Sequence, residues 1–175
     1  MFTNTARTLV AVAFTLLAAF FVYQHTYELA AVAFLFAGLL VWGYFKEGTI
    51  ILAAKQFHVK NYQKAEELLL QIKNPEWLSN KRRGFYEFMM GGVSLHKQDY
   101  TAAEQHYELS TQYPLRSVND HVAALVHIVN LNIRQGNYEK AQAYLQLAEN
   151  KGDQINAKMR AVISKLEQEL QSHKI

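Results

Sequence analysis

The chain has 175 residues, with 18 lysines and arginines against 15 acids and a formal charge of +3, a balance too small and dispersed to point to a nucleic-acid partner. It contains no cysteine, which removes disulfides, thiolate metal sites and thiol nucleophiles. Only Pro75 and Pro114 interrupt apolar and charged residues at helical spacing, so an all-α chain is predicted.

The first 45 residues differ in composition from the rest and predict a two-helix transmembrane hairpin, with spans at about 8–24 and 28–45. From Thr8 to Tyr23 only Thr8 and Thr15 are polar, and Leu29 to Phe45 is apolar throughout. At about 1.5 Å per residue the runs cover roughly 24–26 Å, short of a hydrocarbon core of about 30 Å, so Phe2 and a snorkelling Arg7 are expected to extend the first. Tyr23 and Tyr27 at one side, and Trp42, Tyr44 and Phe45 at the other, stand where interfacial aromatics belong. Ala33, Ala37 and Gly38 offer small surfaces for close helix packing. The alternative for the first run is a cleaved signal peptide, since Arg7 precedes the apolar stretch and Leu17-Ala18-Ala19 loosely fits a cleavage site. Arg7 before the first run, and Lys46, Lys55, Lys60 and Lys64 after the second, predict an integral protein of a bacterial inner membrane with its C-terminal part cytoplasmic and lipids among its partners. A nearly continuous helix from Leu29 to about Phe57 is a further expectation.

Residues 46–152 carry three superimposable segments: Asn61-Tyr62-Gln63-Lys64-Ala65-Glu66, Asp99-Tyr100-Thr101-Ala102-Ala103-Glu104 and Asn137-Tyr138-Glu139-Lys140-Ala141-Gln142. Tyr62, Tyr100 and Tyr138 fall 38 residues apart, a period that signals stacked helix pairs. Each segment opens on a residue that can cap a helix. Tyr62, Ala65, Tyr100, Ala103, Tyr138 and Ala141 then form a structural signature, with the alanines allowing close helix approach and Leu69, Ile72, Tyr107, Ser110, Leu145 and Ala148 continuing the buried face. Gly136-Asn137-Tyr138-Glu139-Lys140-Ala141, with Met90-Gly91 one helix earlier in the second segment, resembles the tetratricopeptide repeat (TPR) family. The resemblance spans roughly residues 46–150 and implies an α-solenoid of about three helix pairs with a role in protein–protein interaction; the leucine-glycine position is degenerate in the third pair, at Ile128-Val129.

A final helix over 153–172, capped by Asp153, carries Ile155, Met159, Val162, Ile163, Leu166 and Leu170 on one side and suits closure of the array.

No chemistry-bearing motif emerges. The histidines lack the spacing of metal ligands, no phosphate-binding loop or nucleophile turn occurs, and Gly91-Gly92 inside a helical pattern reads as close packing. No enzyme activity, cofactor, metal or nucleic acid is therefore expected. His58, His96 and Arg134 share a repeat phase, either as solvated helix ends or as a row of partner contacts; Lys81-Arg82-Arg83 reads as a solvated face or an anionic-lipid contact. The lysine, asparagine and arginine clamp with which some family members grip a peptide carboxylate is absent at the matching positions. The partner-binding candidates are Ile50, Phe57, Phe85, Phe88, Met89, Leu95, His127, Asn130 and Arg134, read either as an apolar groove for a partner helix or as ordinary core. The expected role is a membrane-anchored adaptor or accessory subunit, with two alternatives: a structural subunit whose hairpin packs within a larger membrane complex, and a lipid or small-molecule site in the groove.

Overall fold

A computed structural model describes residues 4–43 and 49–172. All regular structure among the described residues is helical: α1 (Asn4–Tyr23), α2 (Tyr27–Gly43), α3 (Thr49–His58), α4 (Tyr62–Leu70), α5 (Asn80–His96), α6 (Tyr100–Thr111), α7 (Val118–Arg134), α8 (Tyr138–Glu149) and α9 (Ala157–Ser172), with short 3-10 turns at Pro75–Trp77 and Gly152–Gln154. The chain divides into two compact units, Met1–Leu52 and Ala53–Ile175.

In the first unit α1 and α2 pair through small residues: Ala18, Ala30, Ala33 and Ala37 are buried, and Phe14 stacks on Phe36 at 5.8 Å. Gly38 stands outside this seam, with open space where a Cβ would be. The expected transmembrane hairpin and integral-membrane location are overturned, because no helix among the described residues is long and apolar enough to cross a membrane. The physical reason is polarity in α1 and length in α2. The first turns of α1 hold Asn4, Thr5, Arg7 and Thr8, and the 17 residues of α2 rise only about 25 Å against a hydrocarbon core of about 30 Å. Phe2, Tyr44, Phe45 and Lys46, and the junction of the expected continuous helix from Leu29 to Phe57, lie outside the described residues.

In the second unit leading helices (α3 from Ala53 onward, α5, α7) alternate with trailing helices (α4, α6, α8), and the trailing helices begin at Tyr62, Tyr100 and Tyr138. The turns between them share one backbone solution. Lys60, Gln98 and Gly136 adopt left-handed φ values of 61°, 64° and 75°. Behind them the Asn61, Asp99 and Asn137 amides donate to the Gln56, Ser94 and Asn132 carbonyls at 2.9, 3.0 and 2.8 Å, and the Lys60, Gln98 and Gly136 amides to Phe57, Leu95 and Ile133. This is the Schellman closure of a helix, repeated three times, and His25 (φ 59°) closes α1 in the same way. The caps then diverge. The Lys64 and Ala102 amides donate to the side chains of Asn61 and Asp99, whereas the Asn137 side chain turns back to Gln135.

Ala65, Ala103 and Ala141 are fully buried, as are Leu69, Tyr107, Ser110 and Ala148. Two glycines in α5 seat aromatic rings: a Cβ on Gly91 would lie 3.0 Å from the Tyr107 ring, and one on Gly92 would lie 2.5 Å from the Phe57 ring. The third repeat closes against α9. Val122, Leu125, Val129, Leu145, Ile163, Leu166 and Leu170 form one buried cluster, each such side chain stabilising by about 1.5–3 kcal/mol on removal from water. Helix α9 starts later than expected. The Asn156 side chain, rather than Asp153, accepts from the Met159 amide at 2.9 Å, and the Asn156 amide donates to Asn119 in α7. The 3-10 turn at Gly152–Gln154 takes up the intervening residues.

Candidate functional site

Three of the nine partner-binding candidates, Phe57, Phe88 and His127, come together in one aromatic line with Tyr107 of trailing helix α6. Phe57 of α3 meets Phe88 of α5 at 6.4 Å, and Phe88 meets both Tyr107 of α6 (5.6 Å) and His127 of α7 (6.2 Å). His127 lies flat on Tyr107, with centroids 4.6 Å apart and an interplanar angle of 10°. Glycine at position 92 lets Phe57 reach in this far.

Phe57, Phe85, Phe88, Leu95, His127 and Asn130 are half-buried, and Arg134 is exposed at the end of α7. The Asn130 side chain donates to the Val126 carbonyl on its own helix, which leaves its oxygen available. Ile50 and Met89 are buried, at 3% and 0% exposure, so neither is presented at a surface. Helical spacing alone groups Met89 with Phe85 and Phe88, whereas its 100° step turns it inward to the core.

Burial holds the His127 imidazole below the usual histidine range and pushes the Tyr107 phenol up. Both therefore remain neutral near pH 7, and the centre of the line is uncharged.

Charged groups are arranged around it. Arg83 turns inward to Glu87, its carboxylate partner at 2.7 Å, so the basic triplet is not a wholly solvated face. Glu87 is 1% exposed and also lies 2.6 Å from His106 Nδ1. Between the second and third repeats, Glu104 accepts from Asn132 Nδ2 at 2.7 Å and from Lys140 Nζ at 2.6 Å, and Lys140 also reaches Glu108 at 2.9 Å. Hydrogen bonds from Lys140 to Glu104 and Glu108 raise the lysine above its ordinary range. The Tyr144 hydroxyl donates to Glu108 at 2.8 Å; burial, with this bond to the carboxylate, pushes the phenol up to about 12.

These polar groups were not singled out from the sequence. One signal was available for the inter-repeat pair: Glu104 and Lys140 lie close to one repeat period apart and carry opposite charges. His96, placed in phase with His58 and Arg134, stacks on Tyr62 at 4.5 Å. Its neighbour Lys97 pairs with Glu66. No group of three or more histidine or carboxylate residues that could hold a metal occurs among the described residues.

Residues 43–165 match the family model of the SusR N-terminal TPR domain. No curated protein and no solved structure matches the chain. The three in-phase helix pairs fall inside the matched segment, which covers well over half of the sequence, and TPR domains are non-enzymatic repeats that commonly bind other proteins. The chain belongs to the TPR family of the SusR N-terminal domain.

Proposed function

We propose that the repeat unit is a protein-binding module and that its leading-helix face, from Phe57 and Phe85 through His127 to Arg134, receives the partner. One observation carries this reading: aromatic side chains left partly open to solvent occur on three successive leading helices, where an uncharged ring offers contact area with little side-chain entropy to lose. Phe57 and Phe88 also pack against their neighbours, so part of each ring serves the fold and only the remainder is available to a partner.

Phe85 is the residue to test, because it belongs to this face and is only half-buried. Affinity capture from cells after chemical crosslinking would compare the natural chain with Phe85→Asp and with Leu147→Asp, a control at a 51% exposed position on trailing helix α8. Capture of a specific protein that is lost in Phe85→Asp and kept in Leu147→Asp supports the module. Equal capture by all three overturns the assignment of the face.

A further inference from the structure

One face of the hairpin is left over once α1 and α2 have paired. At about 100° per residue, Ala31, Leu35, Gly38 and Trp42 form a single stripe along α2, on the side away from the buried Ala30, Ala33 and Ala37. All four are exposed. They recur at the spacing by which one helix meets another along a seam. A Cβ on Gly38 would meet nothing within 4 Å, so no contact within this copy calls for glycine at a mid-helix position that it weakens.

Sizes along the stripe run small, large, small, large. A two-fold axis crossing α2 between Phe36 and Ala37 lays a second α2 antiparallel on the first, and pairs Ala31 with Trp42 and Leu35 with Gly38, because both pairs are centred on that point. Every large side chain then meets a small one. A parallel alignment instead sets Trp42 on Trp42, leaves Gly38 facing Gly38 and brings two Glu28 carboxylates together. The outer stripe of α1, formed by Leu9, Ala13, Leu16 and Phe20, is less well matched, since the same operation puts Leu9 against Phe20.

The area also fits a second copy. Tyr27, Val32, Phe34 and Leu39 flank the stripe and are exposed together with Leu35 and Trp42. At on the order of 100 Å² of open surface each, these six side chains offer about 600 Å² per copy and about 1,200 Å² in all, the lower end of the range for stable interfaces. We infer that α2 is a dimerisation helix, on whose outer face a second copy docks antiparallel, with Trp42 over the partner's Ala31 and Leu35 seated in the notch at the partner's Gly38. The inference concerns the first unit and stands independently of the repeat face.

The natural chain has no cysteine, so single thiols can report this geometry. Full chains carrying Leu35→Cys and Gly38→Cys, one of them tagged, are mixed and oxidised. The disulfide between the two is expected to exceed either same-site disulfide by about fivefold or more. Sedimentation velocity over a dilution series tests the size match. The natural chain is expected to dimerise, Gly38→Leu to weaken the dimer by about tenfold or more, and Leu35→Gly combined with Gly38→Leu to restore it to within about threefold, because the exchange again sets large against small. Leu16→Gln on α1 is expected to leave the dimer unchanged. Circular dichroism follows helix content, and the disulfide ratio decides by itself for any variant that loses helix.

A chain that stays monomeric, same-site disulfides equal to the mixed one, or an exchanged pair no better than Gly38→Leu overturns the inference. So does a monomer recovered on phosphatidylcholine vesicles in place of the dimer, which would make a lipid surface the occupant, and so do open-ended aggregates insensitive to position 38.

Discussion

At the scale of single residues, one turn geometry is met by three different side chains. Lys60 and Gln98 hold the same left-handed backbone as Gly136, a conformation that costs a residue with a Cβ on the order of 1 kcal/mol. Gln98→Gly is therefore expected to stabilise the chain by about 0.5–1 kcal/mol and Gly136→Ala to destabilise it by a similar amount, read as opposite shifts of the urea midpoint. The turn was legible at Gly136 because glycine announces it. At Lys60 and Gln98 only the 38-residue phase reveals it. His127 gives a second prediction. Burial lowers its pKa from the ordinary 6.5, so the unfolded chain takes up the proton first as the pH falls, and stability declines from about pH 6.5 down to the folded value. His121, also lowered by burial and then by Lys151, acts in the same direction. Urea midpoints measured from pH 7.5 to 5 should fall for the natural chain and fall less for His127→Phe, which keeps a ring against Tyr107; an unchanged slope would exclude His127 as a source.

At the scale of elements, the repeat helices were readable because capping residue, tyrosine and alanine recur in phase, and a solenoid buries the same face of each unit. Boundaries set by tertiary contact were less so. Asp153 is as good a cap by type as Asn156, but only Asn156 stands three residues before Met159, where α9 turns, and binds back to Asn119 of α7. Arg83 pairs with Glu87 one turn further along α5, a spacing the sequence does show, whereas the burial of Glu87 beside His106 arises only once α5 packs on α6. The division of apolar side chains between core and surface was equally hidden: Ile50 and Met89 share composition and spacing with Phe57 and Phe88, and burial separates them. The packing of α9 carries its own prediction. Leu166→Ala is expected to cost about 2–5 kcal/mol. In hydrogen exchange, protection should fall in α7, α8 and α9, which share its cluster, before it falls in α5 and α6; a uniform loss would mean that the array opens as a single unit.

At the scale of the whole molecule, two units with different surfaces share one chain. The hairpin pairs through alanines and leaves large apolar side chains exposed, among them Leu16 at 68%, Phe34 at 68% and Trp42 at 60%. Composition marked this segment as apolar, but no helix among the described residues is both long and apolar enough to cross a membrane, and run composition was the wrong basis for a location. The repeat unit ties its second and third repeats together through Glu104, Asn132 and Lys140 and shows partly open aromatic side chains on its leading helices. The most direct test of that surface is site-specific photocrosslinking in cells, with a photoreactive residue placed singly at Phe85 and Leu95 on leading helix α5 and at Gln105 and Leu147 on trailing helices α6 and α8. A discrete crosslinked protein formed from positions 85 and 95, and not from 105 and 147, is the predicted result. Crosslinks formed only from the trailing positions, or none from any of the four, would contradict the leading-helix face as the binding surface.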